Sequence, residues 1–373
     1  MAEPLCSYFG RCGGCAAQNI DYRVQLENKR KSLANAVQGD CIEVFHGSEY
    51  FYRTRVDMVF HKGGLGFRRK GVWHKVVDIE KCVIANEKIN VLIDEVRTFF
   101  NTELDYFELK KKYGTFRYAV IRAPQEDSSV SFVLNGDSTR LINARERIAS
   151  FAKNTSARNV IVTYVPHNRD VSVSDDYFVL KGCDTLEESY LGYTFRYNVQ
   201  GFFQNTYGMA LKLHKYVREI LSRRDTSAPT QLADLYGGVG TFGIVNADLF
   251  REVTIIESFP QSVDAAESNI EANKVENVRV LALDAKRLKN VEFPRPLVVI
   301  TDPPRGGMNP RTIKQLNVLR PELIVYVSCN IRQLGVDLDK FSEYRVASAA
   351  LFDFFPHTLH CEAVVELVPG GGS

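Results

Sequence analysis

At 373 residues the chain exceeds what one hydrophobic core usually organises, so two or three domains are expected. Its residues are 45% hydrophobic and 25% charged, with no apolar run of membrane-spanning length and no signal-peptide core in Met1–Tyr22, so a cytoplasmic protein without a membrane partner is expected. A net charge of +2 excludes nucleic-acid binding by bulk charge and leaves it to local patches.

The chain opens on thiols, with Cys6, Cys12 and Cys15 in Cys-Ser-Tyr-Phe-Gly-Arg-Cys-Gly-Gly-Cys. Glycines between the last two let the backbone wrap so that both sulfurs face one centre. In a reducing compartment such clustering points to metal rather than to disulfides. A closed site needs a fourth thiolate, for which Cys82 is the first choice and Cys41 the competitor. Spacing alone does not separate zinc from a [4Fe-4S] cluster.

Asp21–Val37 predicts an amphipathic helix with Tyr22, Leu26, Leu33 and Val37 inward and a basic face of Lys29, Arg30 and Lys31. Tyr52–Phe60 and Gly64–Trp73 predict a hairpin turning at Lys62, Gly63 and Gly64. Arg53, Arg55, Arg68, Arg69 and Lys70 fall among Tyr52, Phe67 and Trp73. Lys110, Lys111, Lys112, Arg117 and Arg122 fall among Tyr113, Phe116 and Tyr118. Cations for phosphates beside rings for bases are what a looped or single-stranded RNA needs, although a solvated strand face over an aromatic core has the same composition. Strands at Val130–Leu134, Asn159–Tyr164 and Tyr177–Leu180, with a helix at Leu141–Ala152, predict a central α+β domain.

A helix is expected over Tyr207–Ser222 and a loop over Asp225–Pro229, after which strands and helices alternate. The strand Leu232–Tyr236 runs into the glycine-rich turn Gly237-Gly238-Val239-Gly240, and Val253–Glu257 ends in a carboxylate suited to ribose hydroxyls. Together they point to a nucleoside cofactor, either a dinucleotide or S-adenosylmethionine. Arg279–Asp284 ends in a further acid. Pro296–Asp302 ends in an acid followed by Pro303-Pro304, a rigid turn used by methyltransferases that act on bases. Arg305 replaces the aromatic residue that amino-methylating enzymes carry next, which argues for a ring-carbon target.

Ile324–Ser328 is a short apolar run, the pattern of an interior parallel strand, and it delivers Cys329 to the sheet rim where chemistry occurs in open α/β folds. A cysteine there either packs or acts as a nucleophile. Methylation of uracil C5 needs a thiolate to add at C6 and a base to remove the C5 proton afterwards. The segment Phe352–Glu362 returns before the last strand and offers Glu362, with His357 and His360 as packing or orienting groups and Glu366 farther along in solvent.

Cys6, Cys12, Cys15 and Cys82, Phe202–Thr206, Asp234–Gly240, Asp302–Pro304, Tyr326–Asn330 and Phe355–Glu362 together resemble the RNA uracil-5-methyltransferases that carry an iron–sulfur cluster. The resemblance spans nearly the whole chain in order. It implies a class I methyltransferase with a Rossmann-like, doubly wound α/β sheet over 191–369, a cluster-bearing region over 1–90 and an α+β RNA-binding domain over 91–190. Residues 370–373 are read as a linker or tag remnant. By this likeness Cys329 is the nucleophile and Glu362 the proton acceptor. Gln204, Tyr236, Glu257 and Asp302 match the S-adenosylmethionine contacts. Cys6, Cys12, Cys15 and Cys82 match the ligands of a structural [4Fe-4S] cluster.

The chain resembles the shorter branch, without a β-barrel RNA-binding module ahead of the cysteines. Ribosomal RNA is the favoured substrate, transfer RNA the alternative, and a monomer is expected. A zinc-stabilised RNA-binding protein without activity and a nicotinamide-dependent oxidoreductase are the rivals from other classes.

Overall fold

The computed structural model describes residues 2–101, 103–223 and 230–370; the loop expected over Asp225–Pro229 and most of the remnant at 370–373 lie outside them. In chain order come α1 (Tyr22–Val37), β1 (Ile42–Phe45), β2 (Arg55–His61), β3 (Gly64–Arg69), β4 (Val72–Asp78), α2 (Glu87–Phe99), β5 (Phe116–Arg122), β6 (Ser129–Asn135), α3 (Leu141–Asn154) and β7 (Asn159–Val165). Then follow β8 (Tyr177–Lys181), β9 (Thr185–Tyr190), β10 (Tyr193–Asn198), α4 (Tyr207–Ser222), β11 (Gln231–Leu235), α5 (Thr241–Val245), β12 (Glu252–Glu257), α6 (Pro260–Ala272) and β13 (Val278–Ala282). The chain ends with β14 (Leu297–Thr301), α7 (Pro310–Leu319), β15 (Leu323–Ser328), α8 (Ile331–Leu338), β16 (Tyr344–Phe352) and β17 (Glu362–Pro369). Among the described residues no helix is long and apolar enough to cross a membrane.

Two compact units form, each from separated segments. The first takes the chain up to Tyr22, Ser48–Glu188 and Asn198–Tyr207; the second takes Arg23–Gly47, Ser189–Tyr197 and the chain from Gly208 onward.

The first unit is built on a seven-stranded sheet in the order β4-β3-β2-β5-β6-β7-β8. β5 and β6 are buried at every position, their polar residues Arg117, Arg122, Ser129, Ser131 and Asn135 included. α3 connects β6 to β7, which pair in parallel. Asn86 starts α2 by accepting the Ile89 backbone N–H at 2.8 Å, and Ile89, Leu92, Ile93 and Val96 of that helix pack on the sheet's core. The run Gly64–Trp73 is not one strand: the chain reverses at Lys70-Gly71, where Gly71 has a φ of 72°, and Trp73 belongs to β4.

The second unit carries an eight-stranded sheet, order β1-β16-β17-β15-β14-β11-β12-β13. β11, β12, β13, β14 and β15 run parallel, and β17 is antiparallel to both β15 and β16. β11, β14 and β15 are buried throughout, the burial expected of strands covered on both faces. β11 leads outward to β12 and β13, and the chain then returns to β14 on the other side of β11. That reversal makes a switch point beside the carboxyl end of β11.

α1 departs from expectation on its inner face, which is Gln25, Lys29, Leu33 and Val37 rather than Tyr22, Leu26, Leu33 and Val37. Lys29 leaves the solvated side because Asp353 neutralises it at 2.6 Å. Glu366 also differs, being half-buried and accepting the Ser348 hydroxyl at 2.8 Å.

Candidate active site

Three strand ends of the second unit meet on one edge. Asp302 follows β14, Cys329 follows β15, and Glu362 begins β17. Because β17 is antiparallel, with Ser328 opposite Ala363, its first residue lies at the edge where β15 ends. Sheet order then sets β15 between β14 and β17, with Cys329 between the two acids.

Their electrostatics agree with that placement. Burial pushes the Cys329 thiol up to about 11, the charges of Glu362 and Asp302 push the same way, and Arg305 pulls it back. Glu362 is 5% exposed; loss of water, with the charge of Asp302 second, raises its carboxyl well above the ordinary range. Asp302 keeps part of its surface open, yet desolvation pushes it up to about 7.

Backbone ties fix the three ends. The Asn330 side chain caps α8 by accepting the Gln333 N–H at 3.3 Å and donates to the Arg305 carbonyl at 3.0 Å, locking the strand end after Cys329 to the Asp302-Pro-Pro-Arg305 loop. The Arg305 guanidinium lies 3.1 Å from His360 Nδ1. On the other side of the 353–361 segment, Lys29 Nζ donates to Asp353 at 2.6 Å and to the Phe355 carbonyl at 3.1 Å. Gln25 Oε1 accepts the His357 N–H at 3.0 Å, and His357 holds a φ of 63°. His357 is therefore buried packing and His360 is exposed beside Arg305. Arg305 enters the sequence reading only for the aromatic ring it replaces, and Asn330, Gln25 and Lys29 not at all as site residues. The polar stop right after the strand is the one signal that could have raised Asn330.

At the switch point the glycine turn and Glu257 come together. Glu257 Oε2 accepts the Gly238 N–H at 3.0 Å, while Oε1 accepts those of Ser258 and Phe259 at 2.6 and 2.8 Å. Tyr236, at the end of β11, sits at a φ of 59° and is half-buried. The Asp302 backbone N–H donates to Leu235 at 3.3 Å, joining that loop to the end of β11. Beneath the turn, Asp234 accepts the Gly243 N–H at 2.9 Å. Asp284 is drawn off to cap the following turn, accepting the Lys286 N–H at 3.0 Å. Gln204 belongs to the first unit, in the loop after β10, and is not grouped with these residues.

Also in the first unit, Cys6, Cys12, Cys15 and Cys82 line one cavity of about 330 Å³. Cys41 is exposed and outside that lining. Burial pushes the Cys15 thiol up to about 12, and the charges of Cys82, Cys12 and Cys6 add to it; Cys12 is raised by burial and then by Cys82 and Cys6. Four thiols sharing one cavity are the kind of donor set an iron–sulfur cluster takes. Among the described residues no three His, Cys, Asp or Glu side chains close on a single ion, and a polynuclear cluster holds its thiolates farther apart than one ion does.

The sequence profile of the tRNA (uracil-5-)-methyltransferase family matches residues 21–369. The chain belongs to that family. A tRNA (uracil(54)-C(5))-methyltransferase of Pyrococcus abyssi is 32% identical over 372 residues, covering 98% of this chain and 86% of the relative. The enzyme of the same name from Pyrococcus horikoshii is 32% identical over 366 residues, covering 97% and 85%. The crystal structure of the Pyrococcus abyssi tRNA (uracil-54, C5)-methyltransferase in complex with S-adenosyl-L-homocysteine matches with a TM-score of 0.79 and 29% identity, over 96% of this chain and 86% of that one. The second unit is thus a class I methyltransferase fold, and the protein is an S-adenosylmethionine-dependent RNA (uracil-5-)-methyltransferase.

Proposed function

We propose that this enzyme methylates C5 of a transfer-RNA uridine through a covalent bond between Cys329 and C6 of the base. The observation that carries the chemistry is the meeting of Cys329, Asp302 and Glu362 at three neighbouring strand ends, close enough for both acids to act on the thiol. S-adenosylmethionine supplies an electrophilic methyl carbon. Cys329 adds as thiolate to C6, and the electron pair displaced onto C5 would take the methyl group, the broken S–C bond's pair remaining on the sulfur of the departing S-adenosyl-L-homocysteine. Glu362 then accepts the C5 proton, and the returning pair expels the thiolate. A carboxyl raised by burial suits that role, since it binds the proton it removes more firmly than an exposed one. Arg305 favours the thiolate, and the Asp302-Pro-Pro loop walls the flipped base. Tyr236, Glu257, Asp302 and Gln204 are assigned to the cofactor. The amide-rich turn at Gly238 and the carboxylate of Glu257 support its placement at the switch point.

The shared cavity supports Cys6, Cys12, Cys15 and Cys82 as ligands of a structural [4Fe-4S] cluster. The basic and aromatic residues between 52 and 122 are assigned to the RNA. For the substrate, the relatives' names favour transfer RNA over the ribosomal RNA expected from the sequence. The test maps 5-methyluridine in transfer and ribosomal RNA after reaction with the wild type and with Cys329→Ala. Methylation confined to ribosomal RNA would reverse the substrate assignment, and full activity of the variant would remove Cys329 from the chemistry.

A further inference from the structure

Trp73 is the chain's single tryptophan, and it lies 60% exposed on β4, an edge strand of the first unit's sheet. An indole left in water on an edge strand forfeits its burial energy and invites association. Its setting is cationic. His74 meets the indole edge-on, with ring centres 5.6 Å apart. Arg68 donates to the Trp73 carbonyl at 2.7 Å. Lys75 follows His74 on β4, and Leu109, next to Lys110, lines the same cavity as His74, so both lysines carry their charge to this face. Lys75 and Lys110 are exposed, with no acidic partner among the described residues. The turn that carries Lys110 also carries Tyr113, 64% exposed.

Behind His74 lies a cavity of about 250 Å³ whose walls include Arg68, Phe107, Arg117, Tyr118 and Asp170, the last accepting from Arg68 at 3.0 Å. Arg117 is 2% exposed and stacks 4.3 Å from the Phe107 ring; its Nε has no hydrogen-bond partner among the described residues. An exposed indole beside two exposed lysines without acidic partners among the described residues fits a ligand bearing a flat ring and negative charge.

We propose that this face binds an unpaired nucleotide of the RNA substrate other than the target uridine, its base stacked on Trp73 and its phosphates held by Lys75 and Lys110. The proposal rests on RNA being the substrate. A nucleotide answers the patch better than an acidic peptide does, because every base has a π-face for the indole while flanking phosphates repeat along the strand. The target uridine is assigned to Cys329 and Glu362, so the nucleotide stacked on Trp73 is a second one.

The single tryptophan makes the test direct. The wild-type protein is titrated with a hairpin RNA carrying an unpaired loop and with the fully paired duplex of the same stem, following indole fluorescence and, separately, the anisotropy of end-labelled RNA. The loop RNA is expected to quench Trp73 with the same midpoint as the anisotropy, and the duplex to quench far less. Trp73→Ala is expected to weaken loop binding about 5- to 150-fold, the span of one base–aromatic stack, and to raise KM for RNA more than it lowers kcat. Trp73→Phe retains a ring and is expected to keep most of the affinity. Anisotropy showing binding with unchanged fluorescence, equal quenching by the duplex, tighter binding of a poly-glutamate peptide than of RNA, or wild-type affinity in Trp73→Ala would each overturn the proposal. The first and last of these leave the assignment of RNA as substrate intact. Absence of any RNA binding by the wild type would overturn both.

Discussion

Lys29 Nζ lies 2.6 Å from Asp353 Oδ1, the lysine 7% exposed and the aspartate fully buried. The pair joins α1 to the segment that ends at Glu362, across 324 positions of sequence. Breaking such a pair costs more than the pair itself contributes, since the survivor is left charged in a dry place. Lys29→Met is therefore expected to lower unfolding free energy by about 3–5 kcal/mol in chemical denaturation. Replacing both residues by apolar side chains is expected to recover much of that loss. If the double variant were no better than the single one, the ion pair would not be the cause.

The acid–thiol cluster gives a signed pH prediction. Cys329 stands near 11 through burial and then through the charges of Glu362 and Asp302, with Arg305 opposing. Removing Glu362's charge lowers the thiol's pKa, so Glu362→Gln is expected to move the pH profile of adduct formation to lower pH. The same variant lacks the proton acceptor, so the adduct persists as a slow-migrating protein–RNA band in denaturing gels. Arg305→Gln is expected to move the profile the opposite way. Coincident profiles for the two variants would refute this electrostatic account.

Asp234 links the cofactor turn to stability. Complete burial, with the charges of Asp302 and Glu257 adding, pushes its carboxyl from 3.8 up to about 7 against the pull of the Gly243 N–H. The folded protein holds this proton more tightly than the unfolded chain does. The group's contribution is therefore complete below the unfolded pKa near 4 and is lost as pH rises through 7, by up to about 4 kcal/mol. Asp234→Asn is expected to flatten the fall in denaturation midpoint between about pH 4 and 7. It should not abolish the fall, because Asp302 titrates over the same range. A slope equal to the wild type's would place the proton elsewhere.

The position of Cys329 is legible in the sequence because an unbroken apolar run suits only a strand covered on both faces, and β15 is buried at every residue. The cofactor turn is legible for the same kind of reason, its glycines standing where the backbone crowds Ile255 and Asp234. Glu362 is legible only as a candidate on the segment returning before the last strand, and its role comes from the family resemblance. What brings it to Cys329 is the antiparallel insertion of β17 between β15 and β16, and no local pattern encodes that pairing. Lys29 misleads for a related reason. Helical periodicity counts a lysine as solvated, and the carboxylate that makes it a core residue is distant in sequence. The break at Gly71 is missed because residues 64–73 read as continuous strand until the positive φ is known.

Gly243 shows how tightly that cofactor turn is packed. A Cβ there would meet Ile255 Cγ1 at 2.8 Å and Asp234 Oδ2 at 3.2 Å, and neither can retreat far inside a parallel sheet. Gly243→Ala is expected to cost about 1–3 kcal/mol of stability, the usual penalty for overpacking. Because the same residue's N–H donates to Asp234, the strain falls on the start of α5, and weaker binding of S-adenosyl-L-homocysteine by calorimetry is expected too. In an Ile255→Ala background the inserted methyl has space, so a double-mutant cycle should show the glycine substitution costing markedly less there. Gly208 in α4 has open space around its missing Cβ, and Gly208→Ala is expected to stabilise by about 0.4–1 kcal/mol. Equal costs for Gly243→Ala in both backgrounds would mean that Ile255 is not what the methyl strikes.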